Sequence, residues 1–354
     1  MAVVTVGVPV YNGEKYLAQT LDSLLAQSLR EFSIIISDNA STDRTREICR
    51  SFEKKDHRIR YFRNDRNIGA AANFNRLVEL CDAPLFHGGA CDDLYDPRFL
   101  ERCVEALDRD PGLVLSYPRT RMIDEDDQPL FFDRERECYL DSYGDFLMRP
   151  VPPHIATSGR PEVRFRDVLW PMGWALPLSG VIRKEALLRT ALYRNYYGAD
   201  KVLLAELALQ GRFHQVREEL FNKRVHRGGT HYKTTRERAR HEGSSAIPPQ
   251  VRMVRDYASM TLAADMGGRQ RLHCMATIAG IARRPEVWRR LFIPGPDNYW
   301  GLSFAYRSAG IRRSIEQLLP SRRPGGGQAS PRGYHRIGQA SFRLHRWTRT
   351  PPQW

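Results

Sequence analysis

The chain has 354 residues, 42% of them hydrophobic, and a formal net charge of +14. That length suits one large domain or two modest ones with an ample core. No window supplies the roughly eighteen consecutive apolar residues of a spanning helix, and the N-terminus lacks the basic start and small-residue cleavage site of a signal peptide, so the sequence reads as cytoplasmic.

The first third alternates strand and helix. Val3–Val8 is apolar and β-branched, and Glu14–Gln27 places Leu17, Leu21, Leu24 and Leu25 on one helical face. Phe32–Ile36 is a second strand, and Ser41 or Asp43 caps a helix running through Ile48 and Phe52. Ile59–Phe62 is a third strand, Ala70–Leu80 a helix and Leu85–His87 a fourth strand. Pro97 sits at a first helical turn, where its missing N–H costs nothing, and Phe99, Leu100, Cys103, Val104 and Leu107 follow. Leu113–Tyr117 is a fifth strand. Such alternation predicts an α/β fold with a mostly parallel central sheet flanked by helices.

The pattern loosens after Tyr117. Residues 124–165 read as a long excursion over an active-site face. Structure resumes near Leu176–Arg183 and in Gly198–Gln210, a strongly helical window, and Pro248 to about Arg290 is helical again before Pro294–Pro296. The expected divisions are 1–117 and 118–240 as two halves of one domain, 241–310 as a helical extension and 311–354 as a basic tail. That tail carries nine arginines and one acid, Glu316, so it supplies more than half of the excess charge. It offers peripheral contact to anionic lipid, nucleic acid or an acidic polymer, or else is simply solvated. The six cysteines are scattered with no C-x-x-C pair, which reads as free thiols rather than a metal or disulfide framework.

Polar groups gather where strands end. Pro9-Val10-Tyr11-Asn12-Gly13 follows the first strand, Asp38-Asn39 ends the second, and Gly88-Gly89-Ala90-Cys91-Asp92-Asp93 follows the fourth. Open α/β sheets bind ligands at that edge. Asn12 or Gly13 can cap the next helix and leave N–H groups for a phosphate. Asp92 and Asp93 suit a hard divalent ion shared with substrate phosphates, or simply cap the helix after Pro97. Asp38 can take hydrogen bonds from a base or ribose, or form an Asx turn. No G-x-G-x-x-G follows strand one and no G-x-x-x-x-G-K-[ST] occurs, which argues against a Rossmann dehydrogenase or a P-loop enzyme.

Together, Val8-Pro9-Val10-Tyr11-Asn12-Gly13, Ser23-Leu24-Leu25-Ala26-Gln27, Ser37-Asp38-Asn39-Ala40-Ser41-Thr42-Asp43, Arg66-Asn67-Ile68-Gly69 and Asp92-Asp93-Leu94-Tyr95-Asp96-Pro97 resemble glycosyltransferase family 2, inverting enzymes of the GT-A (nucleotide-diphospho-sugar transferase) fold. The resemblance covers about residues 3–230. It implies a transferase that uses Mg²⁺ or Mn²⁺ and moves a sugar from a nucleotide-sugar donor, a UDP-sugar by expectation, to a glycan, lipid-linked or small-molecule acceptor hydroxyl. It implies that Pro9 and Tyr11 line the base and ribose pocket with Asn12, and that Asp38 binds the base. Arg66 and Asn67 lie beside the nucleotide, and Asp93 belongs to the same nucleotide-sugar-binding set. Asp92 holds the metal, as the third position of a D-x-D-D pattern whose first acid is replaced here by Ala90. Asp200 is the catalytic base, in a Glu-Asp-x-x-Leu-like stretch where Ala199 replaces Glu; a helix-start carboxylate gains from the dipole. Arg224-Val225-His226 resembles a late Arg-x-His, with Arg224 toward the diphosphate and His226 toward the metal. Gly180-Val181-Ile182-Arg183-Lys184 resembles the approach to the acceptor site, where Trp170 and Trp174 stack on sugars or pack structurally.

Two other readings stand beside this one. A nucleotidyltransferase would release pyrophosphate, but its Gly-rich, Lys-bearing N-terminal signature is absent. A degenerate GT-A domain that binds glycan or nucleic acid gains from Ala90 and Ala199 and loses from the retained Asp92 and Asp200. Nucleic acid is not the expected partner.

Overall fold

The computed structural model describes residues 2–284, apart from 136, 142–145, 149, 151, 153, 171–174 and 230–246. The expectations placed on Trp174, on Pro294–Pro296 and on the basic stretch from 311 lie outside the described residues. An eight-stranded sheet organises the rest. Four strands are parallel and lie side by side: β3 (Ile59–Arg63), β2 (Phe32–Asp38), β1 (Val4–Val10) and β4 (Leu85–Gly88). Next, β10 (Val181–Arg183) runs antiparallel between β4 and β6 (Leu113–Ile123). β11 (Arg212–Arg224) lies parallel to β6, and the short β5 (Leu94–Tyr95) pairs antiparallel at the edge. The sheet is therefore mixed, with its parallel character kept in six strands.

The triple-Ile run of β2 shows why this segment is a strand. Ile34 and Ile36 face one layer and Ile35 the other, and all are fully buried. Successive side chains alternate across a sheet, so covering both faces requires an unbroken apolar run. On the first face Val4, Val6, Val8 and Val10 meet α1 (Leu17–Leu25), α2 (Thr45–Lys55) and α4 (Phe99–Arg109). On the second face Phe86, Leu115 and Phe213 meet α3 (Ala70–Leu80), α6 (Lys184–Leu188) and α7 (Ala199–Gln210). Each large aliphatic side chain so buried contributes roughly 1.5–3 kcal/mol.

A third cluster joins α5 (Pro161–Leu169) and α7 to the helical extension. That extension is two helices, α8 (Pro249–Ala263) and α9 (Gly268–Ala282). Arg164 is buried and donates to the carbonyls of Ala208 (2.6 Å) and Leu209 (3.1 Å), which satisfies the C-terminal end of α7. The 124–165 excursion carries a small antiparallel sheet of β7 (Phe132–Asp133), β8 (Cys138–Leu140) and β9 (Phe146–Met148). β6 runs through position 117 without interruption, so the two expected halves share one sheet. Among the described residues no disulfide joins any of the six cysteines. Among the described residues no helix is long and apolar enough to cross a membrane.

Candidate active site

The C-terminal ends of β1, β2, β4, β6 and β11 open onto one edge of the sheet. There the loop after β1 is laced to the loop after β2. The N–H groups of Asn12, Gly13 and Glu14 donate to Ser41 Oγ (2.9 Å), Thr45 Oγ1 (2.9 Å) and Asp43 Oδ2 (3.0 Å). Asn12 Oδ1 accepts the N–H of Thr42 at 2.8 Å. Asn12 adopts φ 53°, and the N-cap of α1 is Tyr16. The expectation that Asn12 or Gly13 caps this helix with spare N–H groups is therefore corrected: the neighbouring loop uses those donors. Pro9 is half-buried in the strand, whereas Tyr11 leaves its ring 42% exposed at the edge.

Asp38 is fully buried, and its carboxylate is engaged inside the protein. Oδ1 accepts Ser41 N–H at 2.8 Å, Oδ2 accepts the Tyr61 hydroxyl at 2.7 Å, and Arg63 Nε lies 3.2 Å away. Its side chain thus ties down its own loop three residues on, a local side-chain-to-backbone bond rather than an Asx turn. Behind it, sequence reasoning missed a buried amide network. Asn39 Oδ1 accepts from Asn64 (3.0 Å) and from Ile68 N–H (2.9 Å), and Asn73 Oδ1 accepts from Ser37 (2.7 Å) and Asn64 (2.9 Å). Asn67 Oδ1 accepts from Asn39 and from Gly69 N–H, both at 2.9 Å. This network fixes the 66–69 loop, on which Arg66 and Asn67 are exposed. The signal was present: Asn39 is inside the quoted motif, but nothing in the sequence pairs it with Asn64 and Asn73.

Asp92 and Asp93 are adjacent and differently placed. His226 Nε2 lies 2.9 Å from Asp92 Oδ2, and both side chains are partly open to solvent. Burial opposes ionisation of Asp92, yet the Lys223 charge and the His226 contact prevail and hold its carboxyl down at about 2. Asp93 is buried and turns inward: Lys223 Nζ lies 3.0 and 3.2 Å from its two oxygens, and Arg224 N–H donates to Oδ1 at 2.9 Å. Burial pushes Asp93 up to about 6 against the pull of Lys223. Lys223 is raised despite its burial, because Asp93 and Asp92 hold its charge. Sequence reasoning missed Lys223, which sits in a charged run. Its replacement by Met would strand the Asp93 carboxylate. Losing one partner of a buried pair costs about 3–5 kcal/mol, so Lys223→Met should lower Tm by roughly 4–8 °C in a thermal melt; a fall under about 1 °C would show that water already solvates the pair.

Arg224 is 1% exposed and its donors point into protein. Nε donates to Asp92 O (2.8 Å), Nη2 to Gln19 (3.0 Å) and Nη1 to the carbonyls of Asp124 and Glu125 (both 3.3 Å). It also pairs with Asp127 and stacks 4.4 Å over the Tyr16 ring. Arg224 therefore ties β11, α1 and the 124–127 turn behind the Asp92 turn.

Asp200 sits in the first turn of α7, after Gly198 at φ 88°. α7 hands over to β11 where Arg212 faces Leu113, at the strand-start edge, so its other end reaches toward the edge that carries Asp92. Contacts support this placement. Burial, then the Asp200 charge, push the Tyr193 and Tyr257 phenols up. The Tyr193 ring lies 4.2 Å from Phe74, and Phe74 covers Gly88, where an added Cβ would come within 2.4 Å of the ring. Ala199 is 3% exposed in the cluster shared with Met253 and Tyr257; a glutamate there would be an unpaired buried carboxylate. Gly180–Lys184 is mostly β10, inside the sheet, where Arg183 Nε donates to Leu113 O at 2.8 Å. Trp170 is exposed, with Arg284 3.9 Å over its ring. A separate cleft of about 350 Å³, lined by Arg102, His154, His214 and Glu218 among others, borders the earlier part of β11 and includes none of the expected site residues.

Asp92 and His226 share a hydrogen bond of 2.9 Å, and a carboxylate beside an imidazole is a donor set that Mn²⁺ accepts. Among the described residues no group of three or more His, Cys, Asp and Glu converges.

The family model described as glycosyl transferase family 2 matches residues 5–154. An uncharacterized glycosyltransferase of Rickettsia typhi is 29% identical over 169 residues, 47% of this chain and 52% of that protein. Chondroitin synthase of Escherichia coli is 28% identical over 123 residues, 35% of this chain and 18% of that protein. The chain thus spans about half or less of the length of these curated relatives. Among solved structures, Staphylococcus aureus TarS 1–349 in complex with UDP-GlcNAc superposes over 91% of this chain and 82% of its own, with a TM-score of 0.59 and 17% identity; that likeness concerns the fold. Residues 5–154 thus match glycosyltransferase family 2, on a fold of the GT-A type.

Proposed function

We propose that the chain transfers a sugar from a nucleotide-diphosphate donor, a UDP-sugar, to an acceptor hydroxyl with inversion at the anomeric carbon, in glycan or glycoconjugate synthesis. What supports this reading is the Asp92–His226 contact in the segments that follow β4 and β11, together with Asp200 in the first turn of α7, a helix whose far end meets the strand-start edge. Asp92 and His226 would hold Mg²⁺ or Mn²⁺, which supplies neutralising positive charge for the leaving diphosphate. Asp200 takes the proton of the attacking hydroxyl. Tyr11 gives the donor's base or ribose an exposed aromatic face. Lys223 and Arg224 keep the Asp92 turn in place through Asp93 and the 92 carbonyl, without turning their charges to the donor. The sequence relatives named for glycosyl transfer support the same reading, and the solved complex makes UDP-GlcNAc the first donor to try.

The test is a panel of UDP-, GDP- and dTDP-sugars, each with and without Mn²⁺, read by thermal shift and by the product released. A ligand at about 100 times its Kd adds about 2.7 kcal/mol of stability, enough to raise Tm by several degrees. A Mn²⁺-dependent shift with a UDP-sugar and release of UDP is the expected result. Release of pyrophosphate would make the protein a nucleotidyltransferase, and no shift with any nucleotide would leave it a degenerate GT-A domain.

A further inference from the structure

We propose that Asp256, on α8 of the C-terminal helix pair, is a positioning residue for Asp200: through Arg194 and Tyr196 it fixes the loop that launches α7. The inference rests on Asp200 being the proton acceptor, as proposed above.

The loop from 189 to 198 needs outside support. Leu192 adopts φ 54° and Gly198 φ 88°, and a left-handed Leu persists only where the surroundings hold it. One anchor comes from the catalytic body: Tyr193 N–H donates to Asn75 Oδ1 at 3.0 Å, and Asn75 Nδ2 donates to Tyr193 O at 2.9 Å. The second comes from the extension. The Tyr196 hydroxyl donates to Asp256 Oδ2 at 2.5 Å, and Arg194 Nε lies 3.1 Å from the same oxygen. Arg194 spends its other two nitrogens on Glu206 of α7, at 2.7 and 3.2 Å. Arg252, also on α8, stacks 4.3 Å over the Tyr196 ring. Tyr196 O in turn accepts the N–H of Ala199, the residue before Asp200.

The chain of contacts therefore runs from Asp256 through Tyr196 to the first residue of α7, and through Arg194 to the third turn of the same helix. Asp256 is 7% exposed and Tyr196 5%, so these bonds are shielded from competing water and hold geometry tightly. Tyr257, next to Asp256, lies within the field of Asp200. The small residue at 199 fits the same arrangement: Ala199 is buried in one apolar cluster with Tyr196, Met253 and Tyr257, so the extension shares the core beside the base. A base works only within hydrogen-bond reach of the proton it takes, and a displacement of about 1 Å can lower the rate about 100-fold.

Asp256→Asn keeps the side-chain shape and removes the charge that Arg194 faces; Tyr196→Phe removes only the hydroxyl. In the full chain, hydrogen exchange of the 193–203 segment should quicken about tenfold or more in both variants, while the segments 17–25 and 70–80 keep wild-type protection. This arm needs no donor. With the donor found by the panel, kcat should fall at least about tenfold, with donor KM within about twofold and UDP–Mn²⁺ affinity unchanged. In an Asp200→Asn background, Asp256→Asn should lower residual turnover no further. Wild-type exchange at 193–203, a loosening spread evenly over the chain, or a raised donor KM with normal kcat would each overturn the proposal. An active Asp200→Asn variant would instead overturn the base assignment, whatever the exchange shows; an inert one beside a fully active Asp256→Asn would overturn only the positioning role.

Discussion

Asp200→Asn is expected to reduce sugar transfer by about three orders of magnitude while leaving UDP–Mn²⁺ affinity within about twofold of wild type. General bases contribute about 10²–10⁴-fold, and the first turn of α7 holds no second carboxylate to take over: Ala199 stands where the family pattern has an acid, and Glu206, further along the helix, is paired with Arg194. The amide preserves volume and a polar head at the first turn of α7, so the fold around Tyr193 and Tyr257 should persist. Donor binding should persist too, because Asp92 and His226 are carried by the turn after β4 and the segment after β11 rather than by α7. The measurement is initial rate against acceptor concentration, paired with a calorimetric titration of UDP in the presence of Mn²⁺. Turnover within about tenfold of wild type would remove Asp200 from the role of base.

The N-terminal half of the fold was readable because its signals are local. Each of β1 to β4 is a short apolar run, and Ala70–Leu80 is found as a helix at those bounds. The later sheet was not readable for equally physical reasons. β11 has the sequence Arg-Phe-His-Gln-Val-Arg-Glu-Glu-Leu-Phe-Asn-Lys-Arg, and its register shifts twice between Val216 and Phe221. Bulges break the period-two pattern that reveals a strand, so buried Phe213, Val216, Leu220 and Phe221 fall out of phase. β10 has only three residues, and its antiparallel place between β4 and β6 comes from contacts remote in sequence. The break between α8 and α9 at Ala264–Gly267 was hidden in a continuous helical composition.

The site divides in a similar way. Residue type and order picked out Asp92 after a strand end and Asp200 at a helix start, because strand ends and helix starts are topological consequences of βαβ winding. Burial and partner choice could not be read. Asp38 was expected to meet the base, yet its oxygens are taken by Ser41, Tyr61 and Arg63. Arg224 was expected to reach the diphosphate, yet it is a cross-brace that donates to carbonyls around Asp92. Motif matching identifies a position; which side of the backbone its side chain serves depends on residues as remote as Gln19 and Asp127.

The neighbouring carboxylates Asp92 and Asp93 should separate cleanly when each is altered. Asp92→Ala removes one of the two groups that suit a divalent ion and leaves His226 without its acceptor. Removing charge stabilisation from a developing anion lowers rates by about 10²–10³-fold, so turnover should fall at least about 100-fold and the Mn²⁺ dependence of UDP binding should be lost. Stability should fall less than in the Asp93 variant, because Asp92 is partly solvated and Lys223 keeps its closer partner, Asp93. Asp93→Ala should behave in the opposite sense. It leaves Lys223 buried without its closest carboxylate and frees the N–H of Arg224, at about 3–5 kcal/mol. Calorimetry with UDP across a Mn²⁺ series, run beside thermal melts of both variants, reads the two effects separately. If Asp92→Ala bound UDP–Mn²⁺ as wild type does, the ion would have to be held elsewhere, and the pairing of Asp92 with His226 would be only the ordinary hydrogen bond of a turn.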